Sequence, residues 1–337
     1  MPKAVKYDFT ENGIQARIDK FNSELIGQDH VKKSFEKVFK QIYFDETFGF
    51  KENSIIGAAF LCGPSGSGKS FAATAMSKAI HGTDRHILKV NCNEYVNDHE
   101  IAKLLGAPPG YLGHRETQPL LSQARLNAVA SELSPVSIIL WDEIEKASPK
   151  FADTIMQILD RGILRVGDNS LVNFEKTYHL FTTNIGYKYN SSSFLLAENQ
   201  NKEKDQMAAL RKNFRPEFLN RISSFLFFNP FSKAEIQKLF EKMLVERFAN
   251  IRLQASALKA RLNKIVLSVN CMNEYLPRLS DSVSGARNIK YIINNEFYLV
   301  GADRVCKEIN DLPEDFNIYF DFVKNELIAE IITAYED

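Results

Sequence analysis

The chain has 337 residues, with 42 Lys and Arg against 42 Asp and Glu, so its formal net charge is zero. That balance argues against a protein whose main work is neutralising phosphate backbones, and against a charged tail. The 45% apolar and 25% charged shares are those of an ordinary globular protein, long enough for one large domain or two smaller ones.

Cys62, Cys92, Cys271 and Cys306 form no CxxC pair, and no His stands at ligand spacing from them. A disulfide scaffold or zinc ribbon is therefore not expected, and the four thiols read as half-buried residues in a reducing compartment. The first residues lack an apolar signal-peptide segment, and the longest apolar runs, 55–62 and 136–141, are too short to span a bilayer. The expectation is a soluble, cytoplasmic protein.

In chain order, the apolar run 55–62 predicts a buried strand. A Gly-rich turn follows, then a helix over 71–80 stopped by Gly82. Further strands are predicted at 87–90, 136–141, 178–183 and 225–228, with helix-length segments between them. This alternation predicts an α/β domain with a five-stranded, mostly parallel sheet.

One intervening helix is legible in detail. Ser148 is a good N-cap, Pro149 suits the first position, and Ala152, Ile155, Met156 and Leu159 share a face up to a stop at Gly162. Residues 163–166 and 171–174 then read as two short strands around a tight turn. The polar stretch 187–206 reads as a loop leading into a helix. Ser232 and Glu235 form a capping box opening a helical stripe, helix-like segments run to about 305, and 317–323 is strand-like. The predicted organisation is an N-terminal extension (1–22), a large α/β domain (23–229) and a smaller, mainly helical α+β domain with a terminal strand (230–337).

Gly63-Pro64-Ser65-Gly66-Ser67-Gly68-Lys69-Ser70 matches the P-loop pattern GxxxxGK[ST] between a predicted strand and helix, with Phe71 completing the nucleotide-binding set. The glycines let the backbone curl into a nest of N–H donors for phosphate oxygens, and the helix N-terminus adds partial positive charge. Lys69 is then expected to reach the β- and γ-phosphates of ATP, and Ser70 to ligate Mg²⁺. The strand ending Asp142-Glu143 supplies a second metal ligand in Asp142 and a water-polarising carboxylate in Glu143. Asn184, ending the next strand, can hydrogen-bond the same water or the γ-phosphate; by itself it also reads as a turn residue.

These pieces together resemble the Clp branch of the AAA+ ATPases, ring-forming protein unfoldases and disaggregases. The most specific string is Gly106-Ala107-Pro108-Pro109-Gly110-Tyr111-Leu112-Gly113, which is similar to the family's pore loop. Residues 140–147 (LWDEIEKA), 214–221 (FRPEFLNR), Gly285-Ala286-Arg287 and Ile26-Gly27-Gln28 match further family segments, in the family's order. The resemblance implies a P-loop AAA+ domain with a helical lid, and ATP and Mg²⁺ as cofactors. It implies self-association into a ring, a hexamer, and a polypeptide substrate gripped by Tyr111 and Leu112. Ile26 and Gly27 are implied to lie near the adenine, Asn184 to be sensor 1, Arg287 to be sensor 2, and Arg221 to be an arginine finger acting on the neighbouring subunit's γ-phosphate.

The chain also departs from the family. Residues 114–119 (HRETQP) replace a Gly-rich acidic stretch, and 193–195 (SFL) lack the Gly of a peptidase-docking tripeptide. No barrel-peptidase partner is therefore expected, and substrate choice is left to a separate adaptor. The expected function is an ATP-driven polypeptide-remodelling motor. Its rivals are an ATP-switched scaffold or assembly factor and, less well matched by the zero net charge, a nucleic-acid motor.

Overall fold

The computed structural model describes residues 11–106, 119–187, 202–257, 260–280 and 285–334. Among these the chain divides into two compact units. One takes the residues up to Pro64 and Gly68–Asn229; the other takes Ser65–Ser67 and the residues from Pro230 onward.

The first unit is built on β1 (Gly57–Cys62), β2 (Ile87–Asn91), β3 (Ser137–Asp142), β6 (Thr177–Thr183) and β7 (Ser224–Phe227), with β4 (Ile163–Arg165) and β5 (Leu171–Asn173) forming a separate antiparallel hairpin. The five-stranded sheet has the order β2-β3-β6-β1-β7, and every neighbouring pair is parallel. Every residue of β1 and β6 is buried; β1 accordingly reads as a continuous apolar run, whereas β6 also buries Thr177, His179, Thr182 and Thr183. The helices are α1 (Glu11–Glu24), α2 (Asp29–Phe48), α3 (Lys69–His81), α4 (Ile101–Leu105), α5 (Gln123–Val129), α6 (Pro149–Arg161), α7 (Lys202–Asn213) and α8 (Pro216–Leu219). Helix α1 runs through the boundary expected at residue 22. Its Ile18 and Phe21 are buried in the same cluster as Phe35 and Phe39 of α2, so this stretch is part of the unit and not an appendage.

One face of the sheet carries an aromatic row. Phe225, Phe60, Phe181 and Trp141 sit in register on β7, β1, β6 and β3. Their rings stack with centroid separations of 6.0, 5.8 and 6.1 Å, and Phe218 of α8 meets Phe60 and Phe181 edge-on. Such pairs contribute about 0.5–1.5 kcal/mol each beyond area burial. They tie together the strands whose C-terminal ends carry the P-loop, Asp142 and Asn184.

Two buried histidines are expected to make this unit acid-sensitive. The His179 ring accepts from Trp141 Nε1 at 3.0 Å through Nδ1. Its Nε2 lies 2.8 Å from Thr177 Oγ1, whose own proton goes to the Phe174 carbonyl at 2.6 Å. Burial pushes His179 down to about 3, and burial, with the charges of His86 and Arg17, does the same to His81. Both folded-state values lie below the ordinary 6.5, so the unfolded chain binds more protons once pH falls below that value. Stability is therefore expected to be full at neutral pH and to decline between about pH 6.5 and 3, by up to ~1.4 kcal/mol per pH unit for each histidine. Thermal midpoints at pH 7.5, 6.5 and 5.5 check this; a flat profile contradicts it.

The second unit holds α9 (Lys233–Ala257), β8 (Arg261–Leu267), α10 (Val269–Ser280), α11 (Ala286–Ile292), α12 (Tyr298–Lys307), β9 (Asp315–Val323) and β10 (Glu326–Thr333). The capping box opens α9: Ser232 N donates to Glu235 Oε2 at 2.7 Å and Glu235 N to Ser232 Oγ at 3.3 Å. Residues 293–297 form a π turn joining α11 to α12.

The expectation of helix-like segments up to 305 followed by a single strand is corrected. The unit contains a three-stranded sheet, order β10-β9-β8, with β9 antiparallel to β10 and parallel to β8. Its signals are weak for physical reasons. The register of β8 shifts between Leu262 and Ile265. The hairpin turns on Lys324 and Asn325, both in the left-handed region, without the glycine that usually marks such a turn.

Of the four thiols, Cys62, Cys92 and Cys271 are buried and Cys306 is exposed. Among the described residues, no helix is long and apolar enough to cross a membrane.

Candidate nucleotide site

The site is assembled at the C-terminal ends of β1, β3 and β6, three adjacent parallel strands. This is the end of an open α/β sheet at which ligands bind. The chain leaves β1 through Gly63, where a Cβ would lie 2.6 Å from the Phe228 carbonyl oxygen, so a side chain there is sterically barred. Gly66 and Gly68 take φ of 74° and 97°, and α3 begins at Lys69 directly after them. This is the local geometry that a nest of phosphate-facing amides requires.

Lys69 is only 7% exposed. Its ammonium donates to Gly63 O at 2.7 Å, Pro64 O at 2.6 Å and Asn184 Oδ1 at 2.9 Å. Asn184 is positioned in turn by its own N–H, which donates to Glu145 Oε1 at 3.1 Å.

Ser70 Oγ donates to Asp142 Oδ1 at 3.0 Å, so the two expected metal ligands are already adjacent. One hydroxyl and one carboxylate oxygen fit Mg²⁺, a hard cation that takes few protein ligands and completes its shell with water and phosphate oxygens. No group of three or more His, Cys, Asp or Glu residues suited to a metal occurs among the described residues.

Thr182 Oγ1 also donates to Asp142 Oδ1, at 2.6 Å, and Lys89 of β2 forms an ion pair with Oδ2 at 2.7 Å. Burial acts to raise the Asp142 pKa. The hydrogen bonds and charge from Lys89, with those from Thr182 and Ser70, outweigh it and hold the carboxyl below its ordinary range. The group is thus kept ionised, as a cation ligand must be.

Glu143 occupies the left-handed region at φ 58°, a conformation that costs a non-glycine residue on the order of 1–3 kcal/mol. Two contacts hold it there. Its N–H donates to Thr182 Oγ1 at 2.9 Å, and its Oε2 accepts from Asn93 Nδ2 at 2.6 Å. The carboxylate is thus turned out of the strand and held by a single side-chain amide.

Asn93, Thr182 and Lys89 were not among the expected site residues. Asn93 lies in a polar turn, 92–95, just after β2, and only the pairing of β2 with β3 brings it and Lys89 beside Asp142 and Glu143.

Ile26 is half-buried, and Gly27 and Gln28 both have left-handed φ, 63° and 57°. The Gln28 amide pairs with the backbone of Asn229, donating at 2.7 Å and accepting at 3.0 Å. Phe71 is 39% exposed. Arg221 follows α8 and meets Asp160 of α6. In the second unit, Arg287 Nη1 donates to Ser65 Oγ at 3.0 Å, and the Ala286 N–H donates to Gly66 O at 3.1 Å. Tyr111 and Leu112 lie outside the described residues.

The fold and this constellation define a P-loop nucleotide-binding domain. Residues 55–225 match the family described as "AAA domain (Cdc48 subfamily)". The chain is 30% identical over 319 residues to the chaperone protein ClpB of Wolinella succinogenes, covering 93% of this chain and 34% of that one. It is 33% identical over 247 residues to ClpB of Mycoplasma genitalium, covering 72% and 31%. Among solved structures it is similar to Hsp104, reconstructed in a closed state with ATPyS and FITC casein, with a TM-score of 0.73 at 25% identity over 96% of this chain and 53% of that chain. The chain belongs to the AAA family as a Clp-type AAA+ ATPase. It spans about a third of the length of the ClpB relatives it matches.

Proposed function

We propose that this chain is an ATP-hydrolysing motor module that works in a hexameric ring and remodels or unfolds polypeptides. The observation that carries the reading is two hydrogen-bonded pairs at the P-loop, Lys69 with Asn184 and Ser70 with Asp142, beside a carboxylate presented by a strained backbone. Lys69 would neutralise the phosphates, and Ser70 and Asp142 would hold Mg²⁺, whose charge favours phosphate binding and γ-phosphate departure. Glu143 accepts the proton of the attacking water, with Asn93 setting its orientation. Asn184 couples the water to Lys69, Arg287 links the lid to the nucleotide, and Arg221 completes the neighbouring subunit's site.

Tyr111 and Leu112 are assigned to gripping the chain being moved. That substrate class is supported by the likeness to ClpB chaperones and to Hsp104 solved with casein. A permanently unfolded polypeptide such as casein should stimulate ATP turnover and be translocated. Tyr111→Ala should retain basal turnover and lose both responses, measured by phosphate release and by unfolding of a tagged fluorescent substrate. Turnover indifferent to unfolded polypeptide would instead favour an ATP-switched scaffold.

A further inference from the structure

Arg221 presents an unusual donor arrangement. A guanidinium has five N–H donors in a fixed fork. Nε and Nη2 form the side-on pair and both meet the Asp160 carboxylate, Nη2 to Oδ2 at 2.7 Å and Nε to Oδ1. A third donor, on Nη1, goes to the Glu217 carbonyl four residues earlier. Two N–H bonds remain, one on each terminal nitrogen, and that on Nη2 lies on the end-on side. Among the described residues they have no acceptor. The edge held by Asp160 and the end-on edge are thus different edges, and the end-on one has the spacing that matches two oxygens of a phosphate.

Asp160 is not placed there by the needs of its helix. It is the penultimate residue of α6, where a negative charge opposes the helix dipole. Arg215 meets Asp153 of α6 through one contact, Nη1 to Oδ1 at 2.7 Å, and its side chain is 58% exposed. The Arg221 side chain is 29% exposed and gripped on two sides. Its backbone is anchored between Phe218 and Leu219, both buried, and the start of β7.

We propose that Asp160 is a positioning residue for Arg221. By occupying the side-on edge it fixes the plane and direction of the guanidinium, and with the Glu217 carbonyl it leaves the end-on fork aimed outward, toward the γ-phosphate of an adjoining copy of this chain. A competing latch, which would shield Arg221 from phosphate, would be expected on the end-on fork; the carboxylate sits on the other edge. The inference rests on the reading of Arg221 as a residue acting on a neighbouring site.

The test uses the full chain, assembled with ATP, and compares Asp160→Asn, Arg221→Ala and the double variant. Asp160→Asn keeps the side-chain shape but replaces one acceptor oxygen with a donor that faces an Arg N–H. Because the Asp160 side chain is 42% exposed, the variant should fold, which a thermal midpoint checks. The expected result is a kcat for ATP lowered by about 10–100-fold, the scale of losing an orienting partner. KM should stay within about twofold and assembly should be intact. The double variant should be no slower than Arg221→Ala alone, since Asp160 acts only through Arg221; a merely structural carboxylate would add its own loss.

Wild-type kcat in Asp160→Asn, with Arg221→Ala slow, overturns the inference and spares the reading of Arg221. So does a raised kcat, which would make Asp160 a latch, or a lost ring, which would make it an assembly contact. Wild-type kcat in Arg221→Ala overturns the reading of Arg221 and the inference with it.

Discussion

Glu143→Gln is expected to lower ATP turnover by about 10²–10⁴-fold, the usual worth of a positioned general base, while nucleotide affinity stays within about twofold. The substitution suits this question because it leaves the local structure in place. The Glu143 backbone is held by its N–H bond to Thr182 Oγ1, which the side chain does not affect. The bond from Asn93 Nδ2 to Oε2 can be accepted equally by a glutamine carbonyl oxygen. What is lost is the capacity to take a proton from water. Phosphate release under saturating ATP measures the turnover, and titration with a fluorescent ADP analogue measures the affinity. A variant that hydrolyses at the wild-type rate would sink the assignment of Glu143. One that fails to bind nucleotide would show that the carboxylate charge is needed for binding itself.

Lys69→Ala should have the opposite signature, a loss of binding. Its ammonium is seated among Gly63 O, Pro64 O and Asn184 Oδ1 at the mouth of the P-loop. Truncating a buried, hydrogen-bonded charge costs about 2–5 kcal/mol of affinity, or on the order of 10²-fold in Kd. The nucleotide-free protein should also soften, because three acceptors lose their donor, at about 1–3 kcal/mol for each that water does not reach. Isothermal titration with ATP and the thermal shift on nucleotide addition check the two effects together. In wild type, ligand at 100 times Kd raises stability by about 2.7 kcal/mol, and the variant, whose Kd that concentration would only equal, should show about 0.4 kcal/mol. An unchanged Kd would remove Lys69 from the phosphate site.

Much of the large unit was legible along the chain. Its five sheet strands are found within two residues of the stretches that predicted them, most directly for β1 and β3, whose near-complete burial demands apolar runs. The helix from Ser148 to Gly162 carries each of its signals in the structure. The Ser148 side chain accepts from the Phe151 N–H, Pro149 stands at the first turn, and Gly162 ends it with φ 59°. These features depend on a few neighbouring residues, so the sequence displays them directly. The small unit was harder: β8 and β9 are parallel partners separated by some fifty residues, and β8 is mostly only half-buried or exposed.

Local spacing and chemistry therefore specified the phosphate loop, the Asp142-Glu143 pair, the period of each strand and the points where helices start and stop. Nothing in that local information says that β2 lies against β3, which sets Asn93 on Glu143 and Lys89 on Asp142. Nor does it show that Asp160 meets Arg221 across 61 residues of chain. Such partners are selected by which faces bury together, a property of the whole packed domain, and the strength of each contact depends on distances that only the closed fold defines.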